Sequence, residues 1–576
     1  MGVVRLFVVS IVLYLATSVL CAGQEPNAAA GSAPGAEPPV RVNAEAPAPA
    51  AAFDDVIDRV IEREHQLLAQ MRNLRPMVET YLQNLQADGE GNALPVHDQY
   101  FLGRLDLSEY AQHVSFVDGS NPGRNRYSKL NSDLTRRFQA SGFAQMVVLD
   151  TDLYKKYYDF TYVRREFQGE VRCIVIDVQP KADAPDGRFQ GRIWVEDQDY
   201  NIVRFNGTYA THAANPFYLH FDSWRLNLKP GVWLPSYVYS EESEVSRGAH
   251  KLQMKAQTRL WGYDLKEVGK NHNEEFTQIQ VDPKQISDRT ASAADAAPVF
   301  AERMWERQAE DNVLDRLQNT GLLAPAGDVD AILQGVVNNL VISNNLALQS
   351  DVRCRILITA PLESFTIGHT IVISRGLLDV LPDEPALAMI LSHELSHIVL
   401  GHYFDAQLAF NDQMFFPDEQ SFRKLDFKRN AGDEQAADAK ALELLKNSPY
   451  KEKLGSAGLF LRALQQRAPE LPNLIHPHLG DGFAVGASTR MGALLASAPL
   501  LDTQRIDQIA ALPLGGRIRL NPWTDQVELA KTQPIALALP REKMPFGITP
   551  FFPYLTRIAV EHTEKAAAVA GGSGSK

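Results

Sequence analysis

The chain carries a histidine, a glutamate beside it and a second histidine four positions after the first: His393, Glu394 and His397, within LSHELSHIVLGH at 391–402. On a helix, residues four apart lie one turn apart on one face, so both imidazoles project the same way and can grip one tetrahedral cation. Glu394 stands on the flank, where its carboxylate reaches a water on that cation rather than the cation itself. Zinc lowers the pKa of such a water towards neutrality, and Glu394 can take its proton as it attacks a carbonyl. The competing reading is a helix with two partly buried histidines satisfied by hydrogen bonds. Against it stands the setting, with ALAMIL before and IVL after. Burying Ser392, His393, Glu394 and Ser396 in so apolar a helix is unfavourable unless each finds a partner, and a metal supplies one. A hydrolytic zinc keeps three protein ligands and one open position, so the pattern calls for a third ligand.

The elements that must position these groups can be read around them. Asp383 caps a helix running through EPALAMILSHELSHIVLGH, and Gly432 and Asp433 open the next, EQAADAKALELL. Before them, DVDAILQGVVNNLVISNNLAL is an amphipathic helix capped by Asp328, and RILITA and HTIVISRG read as two strands. His-Glu-x-x-His, a gap, then EQAAD from Glu434 to Asp438 resembles the M48 family of gluzincin metallopeptidases. HTIVISRGLLDVLPDEPALAMIL is similar to that family too, as an edge strand, Arg-Gly-Leu-Leu, then the histidine helix. The resemblance covers Asp328 to Leu445. It implies a peptidase binding one zinc per chain, with Glu434 as third ligand and Asp438 holding a ligand histidine by its other ring nitrogen. The family's downstream His-Pro followed by Arg corresponds to His476-Pro477 and Arg490. These are candidate substrate or transition-state contacts, set against surface roles for both.

Three departures from the family accompany the match. His397 and Glu434 are 37 residues apart, short for the family but enough for a turn and an antiparallel helix; His476 and Arg490 are 14 apart, wider than usual. Glu363-Ser364-Phe365 stands where the family has Asn-Ala-Phe, which puts substrate contacts there in question. His402 falls on another helical face and is expected to pack or to cap the helix end. His369 is expected on the edge strand. Met414, Phe415 and Phe416, between the two helices, fit either a lid over the cleft or a hydrophobic loop packed into the core.

A chain of 576 residues exceeds one ordinary core. We read an α+β multidomain protein: signal peptide 1–23, Pro/Ala tether 24–52, helical segment 53–104, antiparallel β domain 105–285, zincin-like peptidase domain 286–500, mainly α with a small edge-strand sheet, and C-terminal extension and tail 501–576. Helical spacing runs from Phe53 to Leu85, interrupted at Pro76. The β part is an N-terminal-helix-plus-meander arrangement of about six strands, open to a half-barrel reading. Its GRIWVEDQDYNIVRF hairpin resembles the lipoprotein-carrier half-barrels of the bacterial envelope, set against a plain β scaffold. Asn206-Gly207-Thr208 is read as strand. Cys173 and Cys354 are left open as a disulfide pair or two thiols.

A net charge of -13 excludes a nucleic-acid partner, since no basic field exists to neutralise phosphates. After the signal no segment is long and apolar enough to span a membrane. The function expected is a zinc-dependent endopeptidase acting on exported or envelope proteins, in the periplasm and peripheral to the outer membrane. Outer-membrane or envelope proteins are candidate partners. The alternative is an envelope carrier or assembly factor whose β domain binds lipid or unfolded protein, with an accessory zinc domain. N-terminal sequencing of native protein should find a first residue near Gln24. Intact Met1 would mean an uncleaved anchor, and an acylated Cys21 a lipidated terminus.

Overall fold

Apolar residues at helical spacing need an apolar surface, and α1 (Ala50–Met71) finds one on a large sheet, burying Ile57, Val60, Leu67 and Met71. The computed structural model describes residues 50–87, 93–106, 112–115, 143, 146–210, 220–247, 250–263, 298–348, 350–402, 426–476, 478–480, 482–485, 488–500, 514–515, 517–521, 524–529 and 546–558. The signal peptide, Cys21, the tether up to residue 49, Pro477, Met414, Phe415, Phe416 and the terminal tail lie outside them.

Ten strands among the described residues form the sheet: β1 (Met77–Ala87), β2 (Ala93–Asp106), β3 (Gln112–Ser115), β4 (Tyr158–Gln168), β5 (Val171–Pro180), β6 (Phe189–Glu196), β7 (Ile202–Tyr209), β8 (His220–Lys229), β9 (Val232–Arg247) and β10 (His250–Trp261). Their order is β3-β2-β1-β10-β9-β8-β7-β6-β5-β4, antiparallel throughout, with β3 and β4 at the ends, so the sheet is not closed. Asn206-Gly207-Thr208 lies on β7 as expected.

Two expectations are corrected here. The helical pattern does not continue to Leu85: the helix ends at Met71, and β1 and β2 are strands within the span read as helical. The sheet accordingly has more strands than the six anticipated. The physical reason lies in burial. Met77 to Gln83 are buried on both faces of β1, so the polar alternation of a half-buried strand is missing and apolar spacing mimics a helix. Pro76 remains the break, because it lacks the N–H that a continuing helix needs.

Neighbouring residues of one strand point to opposite faces. On β8, Arg225 faces α1 and makes two 2.7 Å hydrogen bonds to the buried Glu64 carboxylate. Trp224 faces the other way, towards Phe552, with ring centroids 6.3 Å apart. Phe551 meets Tyr237 nearby at 5.7 Å. The C-terminal extension therefore lays 546–558 on the second face, although its sequence shows little periodicity. Cys173 on β5 and Cys354 are both buried and unpaired.

The second part of the fold is helical with a small sheet. It contains α2 (Pro298–Asn319), α3 (Asp328–Ser343), β11 (Arg353–Leu357), β12 (Ser364–Ile367), β13 (Thr370–Ser374), α4 (Arg375–Val380), α5 (Glu384–Leu400), α6 (Ala431–Lys446), α7 (Leu454–Arg467) and α8 (Pro472–Ile475). The strand order is β11-β13-β12. Thus HTIVISRG supplies the central strand β13, not the edge; β12 is an outer strand, and His369 lies in the turn between them with Nδ1 3.0 Å from Glu310. The N-cap of α3 is Gly327, whose N–H reaches the Asp330 carboxylate at 2.6 Å, so Asp328 begins the helix rather than capping it.

Glu79 on β1 fastens the large sheet to this part. One carboxylate oxygen accepts from the Tyr100 hydroxyl at 3.0 Å and the Ala360 N–H at 2.5 Å, the other from the Arg375 guanidinium at 2.6 Å. Both charged side chains are at most 3% exposed. Removing Glu79 leaves the buried Arg375 guanidinium with the Asp379 carboxylate, 3.6 Å away, against its charge, and takes the acceptor from the Tyr100 hydroxyl and the Ala360 N–H. Glu79→Leu should lower unfolding free energy by ~3–5 kcal/mol, and adding Arg375→Leu should restore part of it, as read from denaturant midpoints.

Candidate metal centre

α5 starts where Asp383 accepts the Ala386 N–H at 3.0 Å, with Pro385 in the first turn. It ends at Gly401, which takes a left-handed conformation at φ 71° that costs glycine nothing sterically. There the Gly401 N–H bonds to the Ile398 carbonyl at 3.2 Å and the His402 N–H to the His397 carbonyl at 2.9 Å, the double bond of a Schellman turn. Between these ends Ser392, His393, Glu394, Ser396 and His397 are at most 2% exposed. The serines return their hydroxyls to their own helix, Ser392 to the Met389 carbonyl at 2.8 Å and Ser396 to the Ser392 carbonyl at 2.7 Å. The histidines and the glutamate must be met from outside.

α6 meets the histidines. Asn430 caps it, accepting the Gly432 and Asp433 N–H groups at 2.9 and 3.0 Å, which puts Glu434 in its first turn. Glu434 Oε2 lies 3.4 Å from His393 Nε2 and Oε1 3.2 Å from His397 Nε2. The two Nε2 atoms are 3.1 Å apart, and one ligand atom from each of the three residues fits within 4.8 Å of the others. Asp438, one turn on, stands 2.9 Å from His393 Nδ1. It also accepts the Met491 N–H at 2.8 Å, bracing a residue held at φ 58°, an uncommon conformation for a side chain other than glycine.

Arg490, beside that turn, places Nη2 2.8 Å from Glu434 Oε2 and Nη1 3.2 Å from His393 Nε2. Glu394 is met from β12, where Ser364 donates its hydroxyl to Oε1 at 2.6 Å. His402 is corrected by the structure: it does not leave the histidine face, and its Nδ1 lies 3.0 Å from His397 Nδ1. His476 is exposed at the end of α8, and no described contact joins it to the triad. Sequence reasoning missed Ser364 as a partner of Glu394. Its signal was the departure at Glu363-Ser364-Phe365, where an aliphatic residue would have left the carboxylate without that donor.

The donor set fits a cation. Both Glu434 oxygens are buried without an aligned hydrogen bond, so the short approaches of Glu434 to the histidines are ion contacts by distance alone. Burial raises the Glu434 carboxyl, yet His393, His397 and Arg490 hold it well below the usual carboxylate range. Burial and Arg490 push His393 down, but the Asp438 and Glu434 carboxylates prevail and bring it up to about 9. Buried carboxylates that draw a proton onto an imidazole set up the potential that a divalent ion satisfies.

Residues 331–416 match the model of peptidase family M48, a span that contains α5 and ends before Glu434. Among solved structures, a domain from Vibrio parahaemolyticus described as an outer membrane lipoprotein-sorting protein is similar at 11% identity, covering 38% of this chain and 96% of that one, with a TM-score of 0.19. The Pseudomonas aeruginosa MucA/MucB complex is similar at 10% identity, covering 36% and 94%, with a TM-score of 0.13. Overlaps this small support no statement about the present chain. No curated protein matches it. Residues 331–416, with α5 and its two histidines, are thus similar to peptidase family M48.

Proposed function

We propose that the protein is a zinc-dependent endopeptidase that cleaves exported or envelope proteins. One observation carries the reading: a carboxylate held by a serine, Glu394, stands beside a largely buried His-His-Glu cluster on two facing helices, and Glu394 and both histidines lie within the peptidase M48 match. His393 and His397 through Nε2, and Glu434 through its carboxylate, would hold one zinc. When bound, zinc supplies a Lewis acid that acidifies water and polarises a peptide carbonyl. Glu394 accepts the proton of the attacking water and returns it to the leaving amine. The Ser364 hydroxyl fixes which Glu394 oxygen is free to do so. Asp438 orients His393 from Nδ1. Arg490 holds Glu434 by a charge-assisted contact and offsets part of the carboxylate charge. His476 stays a candidate substrate contact on the resemblance alone.

The signal-like N-terminus and the tether support export to the periplasm, with attachment near the outer membrane part of the same proposal. Among the described residues no helix is long and apolar enough to cross a membrane.

Purified protein should carry one zinc per chain, and the His393→Ala, His397→Ala double variant none, by elemental analysis. Glu394→Gln keeps size and ligands, so zinc content should hold while peptide hydrolysis falls roughly 10²–10⁴-fold. Glu434→Gln should lose metal and activity together. Near wild-type turnover by the Glu394→Gln protein would sink the reading, as would a zinc-loaded wild type that cleaves nothing in a broad peptide library.

A further inference from the structure

For a histidine to face a cation with Nε2, its proton must sit on Nδ1, and a buried Nδ1–H needs an acceptor. His393 has Asp438. The group at His397 Nδ1 is His402 Nδ1, 3.0 Å away, with ring centroids 5.1 Å apart. Two imidazole nitrogens at that distance are one donor and one acceptor. With His397 Nε2 turned towards Glu434 and His393, the donor is His397. The acceptor is therefore His402 Nδ1, and the proton of His402 sits on Nε2, on the side where Asp433 Oδ1 stands 3.8 Å away.

We propose that His402 is a positioning residue: as a neutral imidazole it fixes the tautomer and ring plane of His397, as Asp438 does for His393. The inference rests on the metallopeptidase reading only in taking His397 Nε2 as a ligand. Chain geometry explains why the residue five beyond His397 can do this. On a continuing helix it would point to another face. Gly401 ends the helix instead, and a Schellman turn brings the second residue past the helix, His402, back over the last turn, against His397. Charge explains why an imidazole suits the place. Glu394, Glu434 and Asp438 already bring three carboxylates against one guanidinium, and a divalent ion balances them. A carboxylate at 402 would add a further negative charge beside Asp433, whereas neutral imidazole accepts the hydrogen bond without one.

The test uses the full-length protein and zinc alone as probe. Zinc dissociation constants are measured by chelator competition for wild type, for His402→Leu and His402→Phe, which cannot accept, and for His402→Gln, which can. Metal-free melting temperatures are taken alongside, so that any loss of folding is seen separately. The expected result is a loss of zinc affinity of about 10–100-fold in both non-acceptors, with metal-free melting unchanged and most of the affinity regained in His402→Gln. The cobalt-substituted protein should show the same split in its visible spectrum, with the non-acceptors altered and His402→Gln close to wild type. Unchanged affinity in the non-acceptors overturns the proposal, and so does an equal loss in all three variants, which would mean packing alone. A wild type that binds no zinc removes the metallopeptidase reading itself, an outcome distinct from either.

Discussion

The structure turns on burying a row of polar groups, His393, Glu394 and His397, inside a helix that is otherwise apolar. None of the three tolerates burial without partners, because each would forfeit hydration that the apolar interior cannot replace. The partners come from four places. α6 brings Glu434 and Asp438, the turn at Met491 brings Arg490, β12 brings Ser364, and the Schellman turn of α5 brings His402. Apart from the 16-residue helix α6, these elements are short or irregular where they meet the site. Their placement follows from what the buried row requires.

What could be read from the sequence divides along the same line. The His-Glu-x-x-His spacing, the Asp383 cap and the helix opened near Gly432 are local signals, carried by residues within one or two turns of each other. Glu434 and Asp438 became legible only through the resemblance, since two acids four apart describe many solvated helix faces equally well. Ser364 and His402 were not legible. Ser364 acts across 30 residues of sequence through a hydrogen bond that no periodicity encodes. His402 was misplaced because an ideal helix was extended one residue past Gly401, although a glycine at that point is the ordinary signal for a left-handed stop. The strand β1 was misread for a different reason: both of its faces are buried, so its pattern carries no period of two.

That double burial ties the sheet to the site. Glu79 leaves β1 and grips Arg375, which heads α4 directly after β13, and the Arg375 Nε also donates to the Ile358 carbonyl at 2.8 Å. Asp379, one turn further on, accepts the Ile518 N–H at 2.9 Å from the C-terminal extension. Arg259 on β10 lies in the same buried region, where desolvation and the Arg375 charge lower its guanidinium to about 10. Desolvated charges are poor sources of stability but demand particular partners, so this cluster specifies how the sheet and the zincin-like part meet.

The same packing bears on what the sheet can do for a peptidase. The face under α1 is occupied by Phe189, Phe205 and Phe221, with centroids 5.7–6.1 Å apart, and by the Glu64–Arg225 pair, so a lipid chain there would have to displace both rings and paired charges. On the opposite face, a depression of about 560 Å³ is lined by Asp177, Gln190, Arg192, Trp194, Asn206 and His220. Arg192 and Asp177 are paired across its wall at 2.7 Å, and Trp194 stacks on Arg204 at 4.3 Å, so its polar groups are already organised and its aromatic ring is already in use. Such a surface suits hydrogen-bonded backbone or polar side chains better than acyl chains. On either face, therefore, the described side chains suit hydrogen-bonded polypeptide better than acyl chains.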